Sequence, residues 1–216
     1  MQHSFWQSKW KSGNIGFHQA QINPQLMQFF KRLNLINNAR VFVPLCGKTH
    51  DISWLLNQGY QVVGAELSEL AVSQLFIQLD LTPNIERSDG LIRYSAAQIE
   101  IFVGDIFQLN DRILGCVDAI YDRAALIALP EKMRIQYAAL LIEITNTAPQ
   151  LLLTFDYDQQ LMQGPPFSLN EQHLQRYYTA SYEVVRIERS QVTGGLKGIV
   201  AASASVWQLL PRLTTS

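Results

Sequence analysis

Cysteine is nearly absent from this chain: there are two in 216 residues, Cys46 and Cys116. Two such residues far apart in sequence cannot build a disulfide framework. The four histidines at positions 3, 18, 50 and 173 are scattered, so no pair stands at metal-ligand spacing and no metal site is expected. Charge is also scarce, at 16% of residues against a globular norm of about 25%. Lys and Arg number 17 and Asp and Glu 18, for a net charge of −1. That balance offers no electrostatic footprint for nucleic acid or an anionic membrane, so neither is expected as a partner. Long apolar runs are missing too. None approaches the ~18 residues of a membrane helix, and GIVAASASVWQLLP, broken by serines, reads as a strand. The opening MQHSFWQSKWKSG lacks the apolar stretch of a signal peptide. The expectation is a cytoplasmic monomer in reducing surroundings.

What is present is apolar: 48% of residues are hydrophobic, enough to offset the entropy of ordering and to exclude disorder. The length suits a single core, and no linker, repeat or shift of composition marks a boundary, so residues 1–216 are read as one domain.

Asn23-Pro24 opens a helix as a cap followed by proline at the first helical position. Over Gln25–Leu35 that helix puts Leu26, Phe29, Phe30 and Leu33 on one face. ARVFVPLCG reads as a first strand and Asp51–Gln58 as a helix stopped by Gly59. QVVGAE is a buried strand ending in an acid, and Ser68 caps a helix over ELAVSQLFIQL. IEIFVGDIF and VDAIYD are further strands, followed by a helix over Glu131–Thr147 and the strand QLLLTFDYD. Near-continuous apolar strands alternating with helices predict a doubly wound α/β sheet with these strands parallel. After a helix near Asn170–Tyr178, YEVVRIERSQV and GIVAASASVWQLL flank TGGLKG, an antiparallel hairpin with Gly194-Gly195 at its tip.

In such a sheet, ligands bind beyond the carboxyl ends of the strands, beside the first. The sequence there is VFVPLCGKTHD. Gly47-Lys48-Thr49 resembles the end of a phosphate-binding P-loop, but the glycine that motif needs five places earlier is Phe42, inside the strand. A dinucleotide fingerprint needs three glycines, and only Gly47 is present. A nucleoside without a pyrophosphate asks less of the loop. S-adenosylmethionine is such a ligand. Glu66, about twenty residues on, stands where a carboxylate accepts ribose hydroxyls. Asp105, at the end of the third parallel strand, can meet an adenine amino group, with Ile106 covering the ring. Each residue alone has a plainer reading: a helix-entry turn for Gly47, a solvated acid for Glu66, a turn former for Asp105. Their joint placement at three strand ends favours the nucleoside. A non-catalytic nucleotide-binding module and a dinucleotide-dependent oxidoreductase stand as the alternatives.

FWQSKWKSGNIGFH, VFVPLCGKTHDISWL, VVGAELS, YDRAAL and DYDQQLMQGPPFS, in this order from Phe5 to Phe167, resemble the thiopurine S-methyltransferases, which depend on S-adenosylmethionine. The resemblance implies a bacterial member with a three-layer Rossmann-like fold, a seven-stranded, mostly parallel sheet ending in an antiparallel hairpin strand. It implies methyl transfer to sulfur of small aromatic or heterocyclic thiols such as thiopurines, with selenium or tellurium compounds as further acceptors. Residue by residue, it carries cofactor contacts onto Trp10, Leu45, Glu66 and Arg123, and an acceptor contact onto Phe17. A second basic position falls at Lys197, in a poorly matching loop.

Chemistry gives these residues reasons. Trp6 and Trp10 share a helix face. Trp6 is expected to dock residues 1–22, an arm, on the core, while Trp10 can hold a sulfonium or its methionine chain through an indole face, the arm acting as a lid. Arg123, beside Ala124, Ala125 and Leu126, is expected to pair with an anion, with Asp122 orienting its guanidinium. A thiol already partly ionised near neutral pH needs no strong base. His18 is the one histidine worth testing as a proton acceptor, Cys46 reads as a small buried residue, and Gly164–Phe167 can roof the acceptor.

Overall fold

The computed structural model describes residues 3–88 and 90–212, which fall into two compact units divided between Ala119 and Ile120. The first unit opens with α1 (His3–Lys11) and α2 (Pro24–Phe29). Asn23 caps α2 by accepting from the Gln25 amide, and its own amide donates to the buried Asp51 carboxylate at 2.8 Å. Leu26, Phe29, Phe30 and Leu33 are buried, as the spacing predicts. The α-helix is shorter than expected, because Phe30–Leu33 tightens into a 3-10 turn that ends at the left-handed Asn34.

β1 (Arg40–Val43), α3 (Asp51–Asn57), β2 (Gln61–Glu66), α4 (Glu69–Gln78) and β5 (Ile99–Val103) follow the expected alternation. β1 pairs with β2 and β2 with β5, all parallel. Ser68 caps α4 through the Ala71 amide. β5 stops four residues before the expected run does, since Gly104 takes φ +149° and Asp105 caps a 3-10 turn at Ile106–Gln108. Between α4 and β5 lies an unexpected hairpin, β3 (Asn84–Ser88) with β4 (Leu91–Ala96), antiparallel to each other and to β5. Strand order in this unit is β3-β4-β5-β2-β1. A short α5 (Asp111–Leu114) precedes the boundary.

The second unit holds β6 (Ala119–Arg123) from Ile120 onward, α6 (Glu131–Ile144), β7 (Gln150–Tyr157), α7 (Glu171–Tyr178), β8 (Tyr182–Gln191) and β9 (Ala202–Pro211). α6 ends before Thr147 because the Thr145 hydroxyl turns back onto the Leu141 carbonyl at 2.6 Å and Asn146 and Thr147 take positive φ. β6 and β7 are parallel. The closing hairpin is reversed into the sheet: β9 pairs antiparallel with both β7 and β8, in the order β6-β7-β9-β8. Its seat is locked where the buried Trp207 indole donates to the Thr154 hydroxyl of β7 at 2.9 Å. Among the described residues the seven expected strands are thus present, and β3 and β4 add two. Among the described residues no helix is long and apolar enough to cross a membrane.

Candidate cofactor site

Parallel strands deliver their carboxyl ends to one edge, and in the first unit that edge is built by the loop after β1. Leu45 and Gly47 both take left-handed backbone, φ +46° and +56°, which folds the loop back so that the Cys46 amide donates to the Ala65 carbonyl of β2 at 3.0 Å. Glu66, at the end of β2, is 6% exposed. One carboxylate oxygen accepts from the Gly47 amide at 2.8 Å and the other from the Ser68 amide at 2.9 Å. Burial pushes the Glu66 carboxyl above the usual carboxylate range, while the amides of Ser68, Gly47 and Leu67 pull it back. A carboxylate oxygen can accept more than one hydrogen bond, so Glu66 organises the loop and keeps capacity for a ligand's donors.

The N-terminal arm lies on this loop. Trp10, 6% exposed, sits so close to Gly47 that a Cβ there would stand 2.9 Å from its ring. Phe17 meets the rings of Trp6 and Trp10 edge-on, at 5.5 and 5.4 Å. Trp6 is half-buried in this aromatic group. His3, at the start of α1, reaches Asp105 beyond β5 at 3.1 Å. The other Asp105 oxygen accepts from the Phe107 amide, so Asp105 serves first as a turn former, half-buried and paired with the arm. The structure therefore brings Trp10, Phe17, Leu45, Glu66 and Asp105 together within one unit. His3 joins them, and no local sequence signal marked it.

Gly47 is required twice here, by its positive φ and by the indole against it. Gly47→Ala is expected to displace Trp10 and weaken cofactor binding about tenfold. A shift in tryptophan emission, with S-adenosylhomocysteine titrated by calorimetry, checks this; unchanged emission and affinity would count against the packing role.

The remaining candidates divide between the units. Cys46 is buried and its thiol is pushed well up, by burial first and the Glu66 charge second. It is therefore a thiol that packs, not a thiolate. The rings of His18 and His50 lie 5.6 Å apart. In the second unit, Arg123 ends β6 half-buried, and its guanidinium makes no hydrogen bond or ion pair among the described residues. Asp122 does not orient it. Successive strand residues face opposite ways, and Asp122 is fully buried, accepting from the Tyr137 hydroxyl at 2.7 Å and the Leu126 amide at 3.1 Å. Lys197 is exposed and donates to the Pro165 carbonyl at 2.6 Å, tying the β8–β9 tip to the Gly164–Phe167 loop. That loop is held again where the Phe167 amide donates to the Ile127 carbonyl at 2.6 Å. An open groove of about 790 Å³ runs elsewhere in this unit, past Asn170, Arg186, Arg189 and Trp207. It contains none of the predicted site residues, and its arginines are paired with Glu171 and Asp156.

A sequence model described as thiopurine S-methyltransferase matches residues 1–209. The chain belongs to the thiopurine S-methyltransferase family. The thiopurine S-methyltransferase of Teredinibacter turnerae is 53% identical over 209 residues, spanning 97% of each chain. That of Gluconobacter oxydans is 49% identical, over 96% of this chain and 94% of its own. Among solved structures, a Burkholderia thailandensis 1,6-didemethyltoxoflavin-N1-methyltransferase with bound S-adenosylhomocysteine superposes with a TM-score of 0.65. It is 14% identical, over 96% of this chain and 86% of its own. The fold is that of the Rossmann-like methyltransferases. The protein is an S-adenosylmethionine-dependent methyltransferase, and S-adenosylmethionine is its cofactor. In the first unit the residues fit that group chemically: the buried Glu66 carboxylate suits hydroxyls and the Trp10 indole suits a cation.

Proposed function

We propose that this enzyme methylates the sulfur of small aromatic or heterocyclic thiols, thiopurines among them, and takes selenium and tellurium compounds as further acceptors. The observation that carries the reading is the make-up of the strand-end site: aromatic rings and one buried carboxylate around a loop whose cysteine is held as a thiol. The activity named for relatives about half identical over nearly the whole chain supports the acceptor class. When bound, the cofactor supplies an electrophilic methyl on a cationic sulfur.

The chain's own residues then have separable tasks. Glu66 accepts the ribose hydroxyls and Asp105 the adenine amino group. Leu45 adds backbone and apolar cover. Trp10 lies against the cation or its chain, an attraction of about 0.5–2 kcal/mol. Arg123 pairs with the cofactor carboxylate or an anionic acceptor, and Phe17 lies against the acceptor. A thiolate and a sulfonium react to neutral products, so a dry apolar site favours the reaction and the protein's main work is alignment and exclusion of water. An acidic heterocyclic thiol brings its own ionisation, so no strong base is needed. Residues 1–216 act as one methyltransferase domain, with residues 1–22 as its lid; Met1 and Gln2 lie outside the described residues. The enzyme works as a cytoplasmic monomer on small molecules, without nucleic-acid or membrane partners.

A screen of thiol, selenol and oxyanion acceptors with labelled cofactor tests the acceptor class. Turnover of mercaptopurine is expected, and a protein that binds S-adenosylhomocysteine yet methylates no thiol would overturn it. Deleting the arm before Gly13 should cost cofactor affinity about tenfold while circular dichroism is preserved. Unchanged affinity would remove the lid.

A further inference from the structure

We propose that Asp122 is a positioning residue of this enzyme: clamped between Tyr137 and the backbone that follows β6, it fixes the turn that presents Arg123. The proposal rests on the anion-binding reading of Arg123. The turn is sharp, since Ala124, directly after Arg123, takes φ +62°, a conformation that an alanine holds only under constraint. Asp122 supplies that constraint. One of its oxygens accepts from the Leu126 amide, and the Ala125 amide also favours its ionised form. The other takes the Tyr137 hydroxyl of α6 at 2.7 Å, which anchors the turn to a 14-residue helix. The same turn runs into Ile127, whose carbonyl holds the Phe167 amide. One buried carboxylate thereby sets both the arginine and the seat of the Gly164–Phe167 loop.

Ionisation strengthens the clamp, because hydrogen bonds to a carboxylate are roughly twice as strong as those to a neutral carboxyl. Burial raises the Asp122 carboxyl to about 6. The ionisable groups facing it are Tyr137 from α6 and Tyr178 from α7, both phenols pushed far up by burial and neutral at physiological pH. Among the described residues it makes no ion pair. The turn is therefore held tightly above about pH 6 and loosened below it.

The test is S-adenosylhomocysteine affinity by calorimetry from pH 5.5 to 8, for the full chain and for Asp122→Asn, Tyr137→Phe, Arg123→Ala and the Asp122→Asn/Arg123→Ala pair. Wild type should weaken on the acid side. Tyr137→Phe should move that midpoint upward, since it deletes the bond that most favours the ionised carboxyl. Glu66 is also shifted upward, but the bonds that favour its ionised form come from backbone amides and not from a phenol, so the movement belongs to Asp122. Asp122→Asn alone should cost about tenfold in affinity, and nothing further once Arg123 is alanine. An unmoved midpoint in Tyr137→Phe, or an equal cost of Asp122→Asn in both backgrounds, overturns the proposal. If Arg123→Ala binds like wild type, the reading of Arg123 fails separately. The clamp is then judged by hydrogen exchange at the Ala125 and Leu126 amides, which should quicken at least about tenfold in Tyr137→Phe and stay unchanged if Asp122 does not hold them.

Discussion

Glu66→Ala is expected to weaken S-adenosylhomocysteine binding by about a hundredfold or more and to lower the stability of the fold as well. Both effects come from one buried group. Its two oxygens hold the Gly47 and Ser68 amides at 2.8 and 2.9 Å. A buried donor left without an acceptor costs roughly 1–3 kcal/mol, so two orphaned amides can cost several. Relief of the buried charge, which the upward shift of the carboxyl registers, offsets part of this, leaving a net loss of about 2 kcal/mol. For the ligand, two hydrogen bonds to a charged acceptor are worth about 1.5–3 kcal/mol each, which sets the hundredfold floor. Glu66→Gln should fall between, because its amide nitrogen must face a backbone N–H on one side. Calorimetric titration and urea melts of both variants decide it. A folded Glu66→Ala that binds within about threefold of wild type would falsify the ribose-anchoring role.

The parallel strands were legible because each is a continuous apolar run, the pattern of a strand covered on both faces. Capping residues marked two of the helix starts: Asn23 and Ser68 each accept from a first-turn amide. The β3–β4 hairpin was not legible, because all five residues of β3 are exposed and carry no alternation of apolar and polar side chains. At the candidate site, position along the strands placed Glu66 at the end of its strand, where the structure has it, and Asp105 at the end of a run that the structure stops at Val103. The sequence said nothing of what they bond to. The Gly47 amide that meets Glu66 is far away in the chain, and so is the His3 that meets Asp105. Asp122 was misread for a related reason. Period-2 alternation separates Asp122 from Arg123 but cannot tell which of the two faces the interior; the packing of Tyr137 and Tyr178 decides that the acid does.

The inward acid has a thermodynamic signature opposite to its role in binding. Asp122→Asn is expected to be more stable than wild type at neutral pH, by up to about 3 kcal/mol. The Asp122 carboxyl lies at about 6 in the folded chain against 3.8 as its ordinary value. Between those values the folded protein holds a proton that the unfolded chain has released. Stability from this group is complete below pH 3.8 and is lost as pH rises through 6. At pH 7 the deficit follows from the width of that window, at about 1.4 kcal/mol per unit. Asparagine mimics the protonated carboxyl: its oxygen still accepts from the Leu126 amide, and its amide can donate to the Tyr137 oxygen. The advantage of the variant should therefore shrink as the pH falls below 6 and vanish near 4. Glu66, shifted in the same direction, leaves both proteins with a residual slope, so the difference between them is the quantity to read. Urea melts at pH 7.5 and 5 measure it, and a variant less stable than wild type at pH 7.5 would contradict the assignment. A more stable Asp122→Asn that binds cofactor less well would show why the charge is kept. An ionised carboxylate grips the turn after β6 harder than a neutral group can, and the enzyme gives up global stability to hold Arg123 in place.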